Sequence, residues 1–467
     1  MISWKIRVAP LAIWICCSLV AAPTSVAQQS APTLEQRLER LEKLLEETRA
    51  ELAAAKATPS ADAARLSEIE RRIEILAKEI EQLKLGEAAA APPPATGGAY
   101  GVGPAAAKVY SGKTGVSLGG YGEALYQNFA RKDQGGSPSR QDDQVTLLRA
   151  VFYLGYKFDD HFLLNTELEY ANAVVASDKK GEAEVEFAYL DYRHSRPFNA
   201  RAGLVLIPMG LVNPLHEPTS FLGAQRPDVE GRIIPSTWRE LGFGVYGEAG
   251  PVSYHAYLVN GLNAEGYRAA GIREGRQEGS QALARNWAFT ARLDYTGTAG
   301  LAAGASVFSG RAGQGRVTPS GRPIGASTTV WDAHADWRWR GLWLRGLYAG
   351  SRVADAALVN EHNGLAGNES VGSRQEGWYL QAAFDVLSLR AGSRSSLFPF
   401  LRYEKYDTQA EVPVGYERNS ENDASVLTVG LGFKPIEQLI VKTDWQRRRN
   451  AARTGVNQWN VALGYIF

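Results

Sequence analysis

The chain has 467 residues, with 51 Lys and Arg against 50 Asp and Glu and a formal net charge of +1. So even a balance gives no bulk charge for binding nucleic acid, and the 2 cysteines, Cys16 and Cys17, lie side by side near the start. A mean hydropathy of −0.25 looks soluble, but strands with one polar row and one apolar row give the same average.

The N-terminus reads as a secretory signal. Lys5 and Arg7 form a positive n-region, Leu11 to Ala22 is apolar, and Ser25-Val26-Ala27 offers a small-x-small cleavage site. Residues 1–27 are therefore expected to be removed, leaving Gln28 first. The apolar run is too short to cross a bilayer, and Ile15 before Cys16 argues against a lipoprotein. Both cysteines fall inside this signal, so the mature chain is expected to have no disulfide, no Cys metal site and no Cys nucleophile. No later stretch reaches the ~18 continuous apolar residues of a transmembrane helix.

Residues 28–87 are rich in Glu, Leu, Ala, Arg and Lys. Leu34, Leu38, Leu41, Leu45, Thr48 and Leu52 alternate in steps of four and three, as do Leu66, Ile69, Ile73, Leu76, Ile80 and Leu83. Such spacing makes a narrow apolar seam and predicts an α-helical coiled coil. Pro59 interrupts it. A helical hairpin folded on itself is the alternative. Residues 88–108, with Pro92 to Pro94 and paired glycines, read as a Pro/Ala/Gly linker.

From residue 109 to residue 467, apolar alternation recurs in segments of roughly ten residues, about sixteen of them. They start near Ser117, Gln144, Phe162, Ala183, Asn199, Glu240, Val252, Asn286, Leu301, Thr328, Leu342, Trp378, Leu397, Ala424, Leu439 and Gln458. Connections after even-numbered segments are short, as at Asp159-Asp160-His161. Those after odd-numbered segments are often long, as at Pro208 to Arg239 and Val353 to Gly377. Short turns on one rim and long loops on the other predict an all-β transmembrane barrel of about sixteen antiparallel strands, with both ends periplasmic.

The faces support this. Trp331, Ala333, Ala335, Trp337 and Trp339 fall on one face of their segment, against Asp332, His334, Asp336, Arg338 and Arg340. The chain then ends on Trp459, Val461, Leu463, Tyr465 and Phe467, one apolar row closing on an aromatic. A soluble protein rarely leaves such a face on a free last strand. This terminal pattern resembles the signal by which the outer-membrane assembly machinery takes up Gram-negative barrel proteins. A barrel of this size leaves an aqueous channel. By parity, Arg149, Arg201, Arg292, Arg338, Arg340, Arg345, Arg402 and Lys442 should face the lumen. So should Glu167, Glu169, Asp294, Asp332, Asp336, Asp385, Glu404 and Asp444.

The connection from Pro208 to Arg239 is the longest. Five prolines stiffen it, and it carries His216, Glu217, Arg226, Asp228, Glu230 and Arg232. It is expected either to fold into the lumen and narrow it or to form an external lid. Around it lie Leu148-Arg149-Ala150, Glu167-x-Glu169-Tyr170, Ala188-Tyr189-Leu190-Asp191-Tyr192, Pro208-Met209-Gly210-Leu211 and Ile234-Pro235-Ser236-Thr237-Trp238-Arg239-Glu240-Leu241-Gly242. These motifs resemble the phosphate-selective porin O and P family, best over about residues 120–250 and diffusely beyond. The resemblance implies a homotrimeric outer-membrane channel, with a periplasmic coiled coil, that passes small anions such as phosphate past Arg and Lys at the constriction. Arg149, Arg201, Arg226, Arg232, Arg292, Arg338 and Arg340 are the pore-lining candidates. The lumen rows are nearly balanced in charge, so no strong cationic ladder is evident.

Catalysis finds no constellation. The 6 histidines lie in no H-x-x-x-H setting and no G-x-S-x-G motif is present, so neither an enzyme, a metal nor a cofactor is expected. The rival reading is a structural tether, with a narrow or closed barrel, that holds the outer-membrane lipid to the peptidoglycan cell wall through the coiled coil.

Overall fold

The computed structural model describes residues 34–56, 68–73 and 100–467, without 178, 391 and 392. The signal peptide, the linker as far as residue 99 and most of the second apolar seam lie outside the described residues.

Residues 1–85 and 86–467 are separate compact units. In the first, helix α1 runs Leu34–Lys56, and Lys56 pairs with Glu70 at 2.9 Å. A Glu- and Leu-rich run with no Gly or Pro inside it favours helix.

The second unit is a closed barrel of sixteen strands in which each strand pairs with its sequence neighbours and β1 pairs with β16. The strands are β1 Gly115–Phe129, β2 Gln144–Lys157, β3 Phe162–Ala171, β4 Glu182–Ser195, β5 Phe198–Leu206, β6 Arg239–Ala249, β7 Val252–Asn260 and β8 Trp287–Tyr295. They continue as β9 Leu301–Arg311, β10 Ser327–Trp339, β11 Leu342–Val353, β12 Arg374–Phe384, β13 Ser396–Glu411, β14 Asp423–Ile436, β15 Leu439–Asn450 and β16 Gln458–Ile466. The sixteen expected strands are all present, with starts shifted by only a few residues. Closure leaves no free edge.

The last strand seals the wall. Tyr121 opposes Ile466 and Phe129 opposes Gln458, and Gly120 and Phe467 exchange backbone hydrogen bonds at 3.0 and 2.9 Å. Trp459, Leu463, Tyr465 and Phe467 point outward, while Asn460 and Ala462 are buried inside. In β10 the outward row holds Trp331 and Trp339, and Asp332, His334 and Asp336 are buried.

Short helices sit in the connections: α2 Lys108–Ser111 before β1, α3 Asp228–Arg232 between β5 and β6, and α4 Ala356–Asn363 between β11 and β12. The core lies inside the barrel. Ile207, Met209, Val229, Ile233, Ile234, Trp238, Leu262, Ile272 and Phe308 form part of one buried apolar cluster, and the Trp238 and Phe308 rings are 4.4 Å apart. The lumen is packed at this level.

Candidate functional site

The packing comes from the connection between β5 and β6, which crosses the lumen. Asn213 ties its two ends: its side-chain amide donates to Ile207 O at 2.6 Å and Trp238 O at 3.0 Å, and its Oδ1 accepts from the Trp238 N–H. The loop then meets the far walls. Gly210 N–H donates to Asp332 on β10 at 3.0 Å, and Arg345 on β11 donates to Ser220 O at 3.1 Å. Ala224 N–H reaches Asp444 on β15 at 2.6 Å. Glu230 gathers the Leu211 and Val212 N–H groups and the Tyr379 hydroxyl of β12, at 2.8, 2.6 and 2.6 Å. Backbone groups that the loop carries into the lumen are thereby paired with wall and loop side chains. A Cβ at Gly464 of β16 would stand 2.5 Å from Pro218 Cβ, so only glycine lets loop and wall approach here. The loop folds into the lumen, the first of the two arrangements expected for it.

A second segment closes in from the other rim. Tyr100 to Lys108, expected as the end of a linker, lies inside the wall together with the rest of α2. Val102, Ala105, Ala106, Val109 and Tyr110 are buried. Ala105 and Ala106 donate their backbone N–H groups to Glu217 of the crossing loop at 3.0 and 3.2 Å. Asn165 on β3 donates to Ala106 O at 2.9 Å. Asp191 on β4 accepts from the hydroxyls of Tyr110 and Tyr246 at 2.6 and 2.7 Å and from Arg201 at 3.0 Å. A cavity of about 10 Å³ remains beside this junction, lined by Gly101, Arg201, Leu206, Pro208, His255 and Arg292 among others. That cavity holds about one water.

Most lumen cations are matched by carboxylates. Arg201 pairs with Asp191 at 3.0 Å, Arg292 with Asp294 at 2.6 Å, and Arg402 with Glu404 at 2.9 Å. Arg338 and Arg345 share Asp336 at 3.3 and 2.6 Å. Several pairs are two residues apart on one strand, where period-2 geometry puts both side chains on one face.

One place leaves cationic donors unused. Arg149 on β2 and Lys442 on β15 both face Glu123 on β1, at 3.7 and 3.9 Å, too long for a hydrogen bond. Arg226 from the crossing loop lies in the field of the same groups; burial and then the Arg149 guanidinium push its pKa down from the usual arginine value. Arg149 Nε, Arg226 Nε and Lys442 Nζ are buried without a hydrogen-bond partner. Lys442 Nζ also stands 3.6 Å from the Phe221 ring centre. Glu169 and Glu186 also act on Arg149, and Asp444 acts on Lys442, so the cations are not in excess here, but their unused donors suit a small anion.

The structure brings Arg149 and Arg226 together here. Arg201, Arg292 and Arg338 sit elsewhere, each beside an aspartate. Arg232 is exposed at the end of α3. Arg340 departs from the parity reading: β10 ends at Trp339, so Arg340 falls in the turn, at φ +46°, with its guanidinium over the Trp339 ring. Glu123 was missed, although alternation with the inward Tyr121 and Leu125 marks it as lumenal. His334 lies between Asp294 and Asp332 at 2.8 and 2.6 Å, but Ser306 bonds Asp332 rather than His334, so serine and histidine do not form a nucleophile–base pair.

No protein-family model matches the chain. A protein of Aquifex aeolicus (strain VF5), described as uncharacterized, is 36% identical over 376 residues, spanning 79% of this chain and 83% of that one. Solved structures similar to this one include OmpF of Salmonella typhi in complex with daunomycin, at 12% identity and a TM-score of 0.49 over 75% of this chain and 97% of that one. The outer membrane channel DcaP of Acinetobacter baumannii gives 11% and 0.46 over 75% and 97%. The anion-selective porin from Comamonas acidovorans gives 12% and 0.46 over 76% and 100%.

Proposed function

This chain belongs to one family with the Aquifex aeolicus protein, and we propose that it is an outer-membrane porin for small hydrophilic solutes, preferring small anions such as phosphate. The observation that carries the preference is the set of buried cationic atoms without a hydrogen-bond partner, Arg149 Nε, Arg226 Nε and Lys442 Nζ. In a low-dielectric wall, a few such donors dominate the local field. The state described is then the closed one. Opening displaces the segment from Tyr100 to Ser111 and shifts the tip of the crossing loop, leaving the balanced wall rows as the lining.

The apolar outward rows and the terminal row ending at Phe467 support placement in a lipid bilayer by outer-membrane assembly. An apolar hollow of about 550 Å³ on the outer wall, lined by Leu190, Tyr192, Phe243, Leu258 and Phe289 among others, supports a homotrimer. The filled lumen favours a second reading, a wall-binding tether with a permanently closed barrel. Reversal potential across a salt gradient tests the first reading: an anion-signed potential supports it, and a cation-signed potential or no conductance refutes it.

A further inference from the structure

The β3–β4 wall carries a second cluster beside Arg149 and Arg226. Glu167 on β3, Glu186 on β4 and His216 on the crossing loop meet with their ligand atoms within 4.8 Å of one another, all buried. His216 Nε2 stands 3.2 and 3.3 Å from the two oxygens of Glu167 and 3.1 Å from Glu186 Oε2.

Three local features build this arrangement. Across β3 and β4, Glu167 pairs with Phe187 and Leu168 with Val185, which leaves Glu186 as the extra residue of a β-bulge. A bulge re-aims a side chain, and here both Glu186 and Phe187 are buried inside. The ring of His216 is oriented by its other nitrogen, since Nδ1 stands 2.9 Å from Asn213 O. A proton on Nδ1, donated to that carbonyl, leaves Nε2 as a lone pair aimed at two carboxylates, as in a metal-binding histidine whose other nitrogen is held by a backbone oxygen. Finally, Glu169 Oε2, next to Glu186, has no hydrogen-bond partner although Glu169 is only 6% exposed.

We propose that Glu167, Glu186 and His216 bind one zinc-class divalent ion, which fastens the crossing loop to the β3–β4 wall. An imidazole nitrogen, a borderline donor, with two carboxylates is a donor set that zinc takes. The distances from His216 Nε2 to the two carboxylates, 3.1 to 3.3 Å, match the edge of about 3.3 Å expected of a tetrahedron with bonds of about 2.0–2.1 Å, and all three ligand atoms lie within 4.8 Å of one another. The ion's two charges offset the two carboxylates, and the alternative occupant of the gap is a proton on Nε2. Glu169, Glu184 and Glu186 form a second set of mutually close carboxylates, and the Glu184 side chain is 31% exposed. That row is the route in from the rim. Arg239, beside Glu184 and near Glu186, orients the carboxylates without reaching the ligand atoms around His216.

The test uses full-length protein in detergent, stripped with a chelator and titrated with zinc by calorimetry, alongside Glu167→Gln and Glu186→Gln. One zinc per chain in the wild type, weakened more than about tenfold in each variant, is expected. Cobalt(II) added to the wild type alone should give the intense visible absorption of a four-coordinate site, abolished by one equivalent of zinc. This second readout decides the matter if either variant fails to fold. Absence of stoichiometric zinc binding or of the cobalt band in the wild type overturns the proposal. So does zinc binding unchanged in both folded variants. Neither readout depends on conductance or ion preference.

Discussion

The carboxylate of Glu217, midway along the loop that crosses the barrel, accepts the backbone N–H of Ala105 at 3.0 Å across 112 residues of sequence. This contact joins the two pieces that fill the lumen. Replacing Glu217 with Ala leaves the Ala105 and Ala106 N–H groups unpaired, at a cost of about 1–3 kcal/mol. The segment before β1 should then detach more often, which appears as faster proteolysis after Lys108 in purified protein. Unchanged cleavage would place the hold on the segment elsewhere.

Asp191 carries the other anchor. It holds Arg201 and the hydroxyls of Tyr110 and Tyr246 on a single oxygen. Asp191→Ala leaves a buried guanidinium without its anion, and breaking such a pair costs about 3–5 kcal/mol. Denaturant unfolding in detergent should show a loss of that order. A loss below about 1 kcal/mol would mean that water or another carboxylate replaces Asp191.

Closure of the wall depends on Phe467 and Gly120 exchanging both backbone bonds. Deleting Phe467, or replacing it with Asp, should reduce the yield of folded barrel in the membrane severalfold. The protein that does assemble should have unaltered ion preference. Normal yield of the Asp variant would remove this residue from the assembly signal.

Ion preference should follow the pocket around Glu123. Arg149→Ala and Arg226→Ala should each shift the reversal potential towards cations, and Glu123→Gln should shift it towards anions. Opposite signs from neighbouring residues separate local charge from general damage to the channel. No shift in any of the three would discard the pocket as the selective element.

Much of this was legible in the sequence because a barrel wall obeys a period of two. Alternation in β10 and β16 put Asp332, Asp336 and Asn460 inside and Trp331, Trp459 and Phe467 outside, as found. Parity fails where the strand stops or slips. Arg340 lies one residue past the end of β10, and the bulge at Glu186 turns two successive side chains inward, which no alternating pattern anticipates. Residues Tyr100 to Lys108 read as linker because they are small and glycine-rich. Those same properties let Ala105 and Ala106 fit beneath the crossing loop. Contacts across the lumen, such as Ala224 with Asp444 at a separation of 220 residues, leave no local trace in either partner's neighbourhood.

Single-channel recording on the full chain, with and without residues 100–112, tests the central claim most directly. A gated porin predicts rare stepwise openings in the wild type. Removing the segment should make them frequent and larger, with a reversal potential of anion sign in a salt gradient. A chain without residues 100–112 that assembles normally yet shows no conductance would contradict the channel and leave the closed-barrel tether.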